Sequence, residues 1–129
     1  MKKVDEISVL KPAIEMRESG RYKEAQTWLK NYLVREFADS DALSLLSHVL
    51  MLDKNLSEAE QALSKAEAIA PDSPSVNRNL ARLFLITSRP EDALKKAMKA
   101  YKTSANNNES TLVLATCLGA TGQNGDALT

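Results

Sequence analysis

The chain lacks the residue types on which several classes of protein depend. Its 129 residues include one cysteine and one histidine, so no intramolecular disulfide can form and a zinc site of Cys and His ligands is not expected. Four glycines and four prolines leave little material for a glycine-rich phosphate loop or for strands joined by tight turns. Aromatic residues make up 5 % of the chain, and no stretch approaches the roughly 18 uncharged apolar residues of a membrane span.

An excess of charge of either sign is also missing, because 17 Lys and Arg balance 17 Asp and Glu. Binding to a phosphate backbone needs clustered positive charge, so nucleic acid is not expected as the main partner. After Met1-Lys2-Lys3, the segment Val4-Asp5-Glu6-Ile7 places two acids where a secretory signal would begin its apolar core. We therefore predict a cytoplasmic protein that binds neither membrane nor cofactor, with an ordinary globular composition of 43 % hydrophobic residues.

What the chain does contain is a repeat with a period of 34 residues. Alanines recur at this spacing at Ala25, Ala59, Ala93 and Ala127. Five positions before them come the turn positions Gly20, Lys54, Ser88 and Gly122, and small residues recur at Ala13, Ser47, Ala81 and Ala115. Small residues suit the closest approach of two antiparallel helices, with larger apolar residues beside them. One such pair cannot bury both of its faces, so successive copies are expected to stack.

The repeat predicts seven helices, over about residues 6–18, 21–36, 40–52, 56–70, 74–87, 90–104 and 108–121. Ser73 can cap a helix whose first residue is Pro74, and Asn55 precedes Glu58 in a near capping-box spacing. Other helix starts are marked by Asp39-Ser40, Pro90 and Asn107-Asn108. Pro12 lies inside the first predicted helix, so either that helix is kinked or it begins late and residues 1–10 form a separate turn.

The turn sequence Gly20-Arg21-Tyr22-Lys23-Glu24-Ala25, within a unit of this length, resembles the tetratricopeptide repeat family. The resemblance covers essentially the whole chain and implies an all-α fold, a right-handed α-solenoid of antiparallel helix pairs with about 3.5 repeats. The repeats would span residues 6–39, 40–73, 74–107 and 108–129, the last one incomplete. Residues 126–129 would open a helix that the chain does not complete, so we expect a fragment of a longer array rather than a protein that ends raggedly.

No set of residues in the sequence suggests catalysis, and the chain is not expected to be an enzyme. Cys117 and His48 make the one Cys–His combination, but they belong to different repeats. Cys117 falls at an inward helical position, which favours a role as a small core residue. His48 falls on the inner face of its helix, which favours a groove contact or a solvated surface position.

The resemblance implies that the first helix of each repeat lines a concave groove for an extended peptide or a partner helix. By helical phase, the predicted partner-binding residues are Arg78, Asn79, Arg82, His48, Met51, Leu52, Leu85 and Ile86. Arg78 and Arg82 project from one face with Asn79 beside them, and arginine suits a carboxylate. The alternative is that both arginines are solvated or paired with nearby acids. The apolar positions either meet a partner or are covered by neighbouring helices.

We predict a non-catalytic scaffold that binds a protein or peptide partner, with an acidic element of that partner on the arginines. A variant of the family that grips the C-terminal carboxylate of chaperones is disfavoured, because the matching positions lack its cationic pair. The alternative function is the N-terminal interaction region of a larger enzyme, such as a transferase, whose catalytic domain follows Thr129; the parent reading frame would decide. A third hypothesis is self-association through the uncovered last repeat.

Overall fold

Seven helices form the computed structural model, which describes residues 2–104 and 106–122, with side chains from residue 9 onward. They are α1 (Lys2–Glu18), α2 (Tyr22–Arg35), α3 (Ser40–Leu52), α4 (Leu56–Ile69), α5 (Pro74–Ile86), α6 (Pro90–Thr103) and α7 (Asn108–Ala120). The described residues contain no strand, so the predicted all-α class is confirmed. Helices α2 to α7 begin and end within one residue of the predicted bounds.

Helix α1 differs from the expectation at its start. It begins at Lys2 and passes through Pro12, so the second of the two alternatives, a late start with a separate turn over residues 1–10, is wrong. A proline removes one backbone hydrogen bond and crowds the preceding turn, which weakens a helix. The backbone hydrogen bonds of the turns on either side of Pro12 are sufficient to continue the helix.

Side-chain caps fix where the helices begin. The side chains of Asp39, Ser73 and Asn107 each accept a hydrogen bond from the backbone N–H three residues further on, over 3.1, 3.3 and 3.1 Å. Each satisfies one of the N–H groups that the first turn leaves without an intrahelical partner. At the start of α4, Asn55 Nδ2 donates to Glu58 Oε1 over 2.8 Å, a bond between the two side chains. The predicted starts at these positions are confirmed.

The four turn positions of the repeat share one backbone conformation. Gly20, Lys54, Ser88 and Gly122 all have positive φ, at 78°, 64°, 63° and 79°. A left-handed residue after a helix reverses the chain direction, which is what an antiparallel pair requires. Glycine adopts this conformation readily, whereas Lys54 and Ser88 adopt it at a cost. The predicted turns are therefore confirmed, and the fold imposes their geometry even where the residue is not glycine.

The chain divides into two compact units, Met1–Ala66 and Glu67–Thr129. In the first unit, α1 packs on α2 and α3, and α2 packs on α3. The repeated small residues of this unit are all fully buried: Ala13, Ala25, Ser47 and Ala59. The prediction that these residues lie at close helix contacts is confirmed for this unit.

In the second unit, α5 packs on α6 and α7, and α6 packs on α7. Its core contains Ala81, Ala93 and Ala97 together with Val113 and Cys117. Cys117 is fully buried, as predicted, and burial raises the pKa of its thiol. Ala115, the matching small residue of α7, is exposed, because the described part of the chain holds no helix after α7 to cover it. The predicted repeat boundaries stay a prediction, and residues 126–129 lie outside the described residues.

Candidate functional site

The predicted basic residues lie on one face of α5, opposite the first turn of α7. Helix α5 begins at Pro74 behind the Ser73 cap, which sets the phase of the residues that follow. Arg78 and Arg82 are four residues apart and so stand about one turn above each other on that face. Because α5 packs directly on α7, both arginines reach side chains that start the next repeat.

Arg78 is held in place by a hydrogen bond from its Nη1 to Ser110 Oγ on α7, over 3.1 Å. Its side chain is only 12 % exposed. Burial lowers the pKa of the Arg78 guanidinium from its ordinary value, and the charge of Glu109 partly opposes that shift. Arginine nevertheless keeps its proton in proteins, so a cation is held here with little water around it. Such a cation favours an anion nearby.

Arg82 is oriented from its own helix. Its Nη1 donates to Asn79 Oδ1 over 2.6 Å, and its side chain is 23 % exposed. Asn79 itself is only 4 % exposed. Asn79 therefore offers little surface to a partner, and its Oδ1 helps to orient the guanidinium of Arg82.

The two arginines face one carboxylate, that of Glu109 in the first turn of α7. Arg78 Nη2 lies 3.8 Å from Glu109 Oε2, and Arg82 Nη2 lies 3.8 Å from Glu109 Oε1. These distances allow electrostatic attraction but exceed those of a hydrogen bond. The Glu109 side chain is 51 % exposed, far more than either arginine. The predicted alternative of a nearby acid is thus present as a loose, shared ion pair.

Ser110 is the residue of this site that the sequence interpretation missed. The 34-residue period places it in one column with Ala42 and Val76, and all three are fully buried. A hydroxyl at a position that is apolar in the two preceding repeats must find a hydrogen bond when buried. Ser110 Oγ accepts from Arg78 and lies 2.9 Å from Ser104 Oγ. The change from apolar Ala42 and Val76 to a hydroxyl at Ser110 is a weak sequence signal, because Ser8 makes the column mixed.

Apolar residues continue the α5 face toward the helix C-terminus. Leu85 is half-buried and packs against the core of the second unit. Ile86, the last residue of α5, is 50 % exposed. Ile86 is thus an exposed apolar residue on the helix that carries both arginines, and its contact with a partner, like that of Leu85, stays a prediction.

The other predicted residues belong to the first unit, on α3. His48 is half-buried, and its Nδ1 lies 3.4 Å from Arg17 Nη1 at the end of α1. Met51 is almost fully buried, while Leu52 is exposed. Met51 thus serves the core of its unit, and its predicted contact with a partner, like those of His48 and Leu52, stays a prediction.

The described part of the chain has neither a candidate metal site nor a candidate membrane span. Across residues 2–104 and 106–122, no group of three or more His, Cys, Asp and Glu side chains is arranged to hold a metal ion. None of the helices among these residues combines the length and apolar character needed to cross a bilayer. The predicted cytoplasmic location stays a prediction.

Sequence comparison identifies the family. A family model for the tetratricopeptide repeat matches residues 16–83, which is more than half of the chain. The chain belongs to the tetratricopeptide repeat family. The identification that the turn sequence and the alanine period predicted is therefore confirmed. No curated protein matches the chain in sequence.

Solved structures of tetratricopeptide repeat (TPR) domains share the fold at low sequence identity. The first TPR domain of human RPAP3 is 15 % identical, with a TM-score of 0.78 over 93 % of this chain and 94 % of that one. The first TPR of Spaghetti, bound to the HSP90 peptide SRMEEVD, is 17 % identical, with a TM-score of 0.74 over 88 % and 91 % of the two chains. The Yersinia enterocolitica type III secretion chaperone SycD, in complex with a peptide of the translocator YopD, is 18 % identical, with a TM-score of 0.68 over 88 % and 92 %.

Proposed function

We propose that this chain is a non-catalytic interaction module that binds an acidic segment of a protein or peptide partner. The contact is on the second unit, where Arg78 and Arg82 receive a carboxylate and Asn79 orients Arg82. Leu85 and Ile86 supply an apolar contact beside the charged one. The observation that carries the proposal is the pair of guanidinium groups, one turn apart on α5, that already face a single carboxylate.

Two further observations support this function. Two structural neighbours of this chain were solved with a bound peptide, one from YopD and one from HSP90. The hydrogen bonds to Ser110 and Asn79 hold the arginines before any partner arrives, which lowers the entropy lost on binding. Arginine held in this way is suited to a planar carboxylate, with bonds of about 2.7–2.9 Å.

The test is a selection of random twelve-residue peptides displayed on phage, with the whole chain as bait. We expect the enriched peptides to contain Asp or Glu next to an apolar residue. Replacing both arginines, Arg78→Ala with Arg82→Ala, should weaken their binding roughly tenfold or more, because hydrogen bonds to charged groups contribute about 1.5–3 kcal/mol. Raising the salt concentration should weaken binding to the original chain as well, through screening.

A matched control removes the same amount of charge elsewhere in the second unit. Lys95 and Lys102 are exposed on α6, so Lys95→Ala with Lys102→Ala should leave peptide binding unchanged. Circular dichroism must show that both double variants keep their helices. Enriched peptides that bind the arginine variant as well as the original chain would refute the arginine site, and a library that yields no binder would refute peptide binding.

Three further predictions remain open beside this proposal. Contacts of a partner with His48, Met51 and Leu52 of the first unit are tested by alanine variants in the same binding assay. Self-association through α7 is tested by sedimentation at several concentrations, and exposed Leu112 is the residue to replace. A role as the interaction region of a larger enzyme is tested by the reading frame that encodes the parent protein.

A further inference from the structure

We infer that Glu109 is an internal occupant of the carboxylate site, which a carboxylate of the partner must displace. The inference rests on the proposed function and specifies how that site is regulated. In the free protein, the Glu109 side chain stands between the two arginines where an acidic group of a partner would bind. Glu109 is then the residue that sets the affinity for acidic ligands.

The contacts of Glu109 show that it is held weakly. Both of its carboxylate oxygens lie 3.8 Å from an arginine nitrogen, too far for a hydrogen bond. Half of its side chain is in contact with solvent, where ion pairs are screened and contribute little. Its carboxylate is therefore able to leave the arginines without breaking a short bond.

The arginines, in contrast, keep their positions when the carboxylate leaves. Arg78 is anchored through Nη1 to Ser110, and Arg82 through Nη1 to Asn79. Each arginine uses its other terminal nitrogen, Nη2, toward Glu109. The pair of Nη2 groups thus forms a fixed donor set for two oxygens of one carboxylate.

A carboxylate from a partner can form the hydrogen bonds to the arginines that Glu109, at 3.8 Å, does not form. Glu109 is tied to the backbone of α7, whereas a group on a partner is free to approach both Nη2 atoms to hydrogen-bond distance. The ligand chemistry is a single carboxylate, from an Asp or Glu side chain or from a chain terminus. Because Glu109 competes for the same donors, only ligands that bind better than this resident group occupy the site.

Two small model compounds distinguish the two carboxylate sources. N-acetylglutamate α-methylamide presents a side-chain carboxylate, and N-acetylalanine presents a terminal one; N-acetylalanine methylamide is the neutral control. Each is titrated into the ¹⁵N-labelled chain, and the arginine side-chain signals of Arg78 and Arg82 are followed by NMR. We expect at least one of the two acids, and not the amide, to shift these signals.

The deciding variant is Glu109→Gln, which keeps the size of the side chain and removes its charge. It should bind the acid about fivefold to tenfold more tightly, since it frees two screened ion-pair contacts. Glu109→Asp, whose carboxylate is one methylene further back, should lie between the two. Glu91→Gln on α6 is the matched control, because exposed Glu91 forms no ion pair within the described residues, and it should leave the affinity unchanged.

The outcomes separate this inference from the function on which it rests. If Glu109→Gln binds the acid no more tightly than the original chain, while Arg78→Ala weakens binding, the internal-occupant role is wrong and the arginine site stands. If no acid shifts the arginine signals in any variant, the carboxylate chemistry is wrong, whereas the peptide selection still decides peptide binding. The helix content and thermal midpoint of each variant check that the site remains folded.

Discussion

Replacing a lysine with glycine should change the free energy of unfolding in opposite directions in a left-handed turn and inside a helix. Lys54 lies at a φ of 64° in the turn between α3 and α4 and is exposed. A residue with a Cβ costs about 1–2 kcal/mol in this conformation. Glycine removes that cost but loses about 0.4–1 kcal/mol through the greater freedom of the unfolded chain. Lys54→Gly should therefore raise the free energy of unfolding by about 0.5–1 kcal/mol, and Ser88→Gly should act similarly.

The effect of the reverse substitution, from glycine to alanine, can be estimated at Gly20. A Cβ added there would meet no atom within 4 Å beyond its two chain neighbours, so steric contact with the surroundings contributes nothing. Only the backbone conformation, at a φ of 78°, opposes an alanine. Gly20→Ala should therefore lower the free energy of unfolding by about 0.5–1 kcal/mol, the mirror image of the effect at Lys54.

Urea unfolding followed by circular dichroism measures these differences, and a thermal midpoint shift of about 1–5 °C should accompany each. Lys65→Gly is the matched control, because Lys65 is exposed inside α4 and glycine in a helix interior costs about 1 kcal/mol. The same Lys→Gly change should thus stabilise the chain at one position and destabilise it at the other. If Lys54→Gly destabilises as Lys65→Gly does, the left-handed residue is not a cost and the reasoning is wrong.

Three other expectations concern single side chains. Asp39→Ala should lower the free energy of unfolding by about 1–2 kcal/mol in urea titrations, because it removes the cap on Ala42 N–H. The Lys23 ammonium lies 2.8 Å from the Asp53 carboxylate and lowers its pKa in the folded chain. This ion pair therefore stabilises the fold above about pH 3.9, the pKa of aspartate in an unfolded chain, and the stabilisation is lost as the pH falls through the lowered pKa of the folded chain. Asp53→Asn should abolish that component of the acid unfolding curve. Cys117 should react with a thiol reagent only after unfolding, because burial excludes the reagent and raises the thiol pKa; fast labelling of the folded chain would contradict this.

The positions of α2 to α7 could be predicted from the sequence because the features that start and end a helix act locally. A cap such as Asp39 or Ser73 acts on backbone groups three residues away, and the 34-residue period repeats these local features in phase. Pro12 shows where local reasoning fails. Its penalty is real, but the sequence does not reveal whether the rest of the helix outweighs it, and in the structure α1 continues through it.

The candidate site was predicted in part. Helical phase placed Arg78 and Arg82 on one face, since residues four apart always share a face. Phase did not reveal that Arg78 is anchored by Ser110, 32 residues away, or that one carboxylate of α7 is shared by both guanidinium groups. Nor did it show that Asn79 is buried.

The sequence by itself determined the family, the all-α class, the bounds of α2 to α7 and the turn positions, because caps and turn residues act on nearby backbone groups and the 34-residue period repeats them in phase. Only the tertiary structure decided the surroundings of the basic face. Burial of Arg78, the bond to Ser110 and the position of Glu109 all depend on how α7 packs on α5. Such contacts join side chains from separate repeats, and their distances are fixed by packing, which no local pattern in the chain encodes.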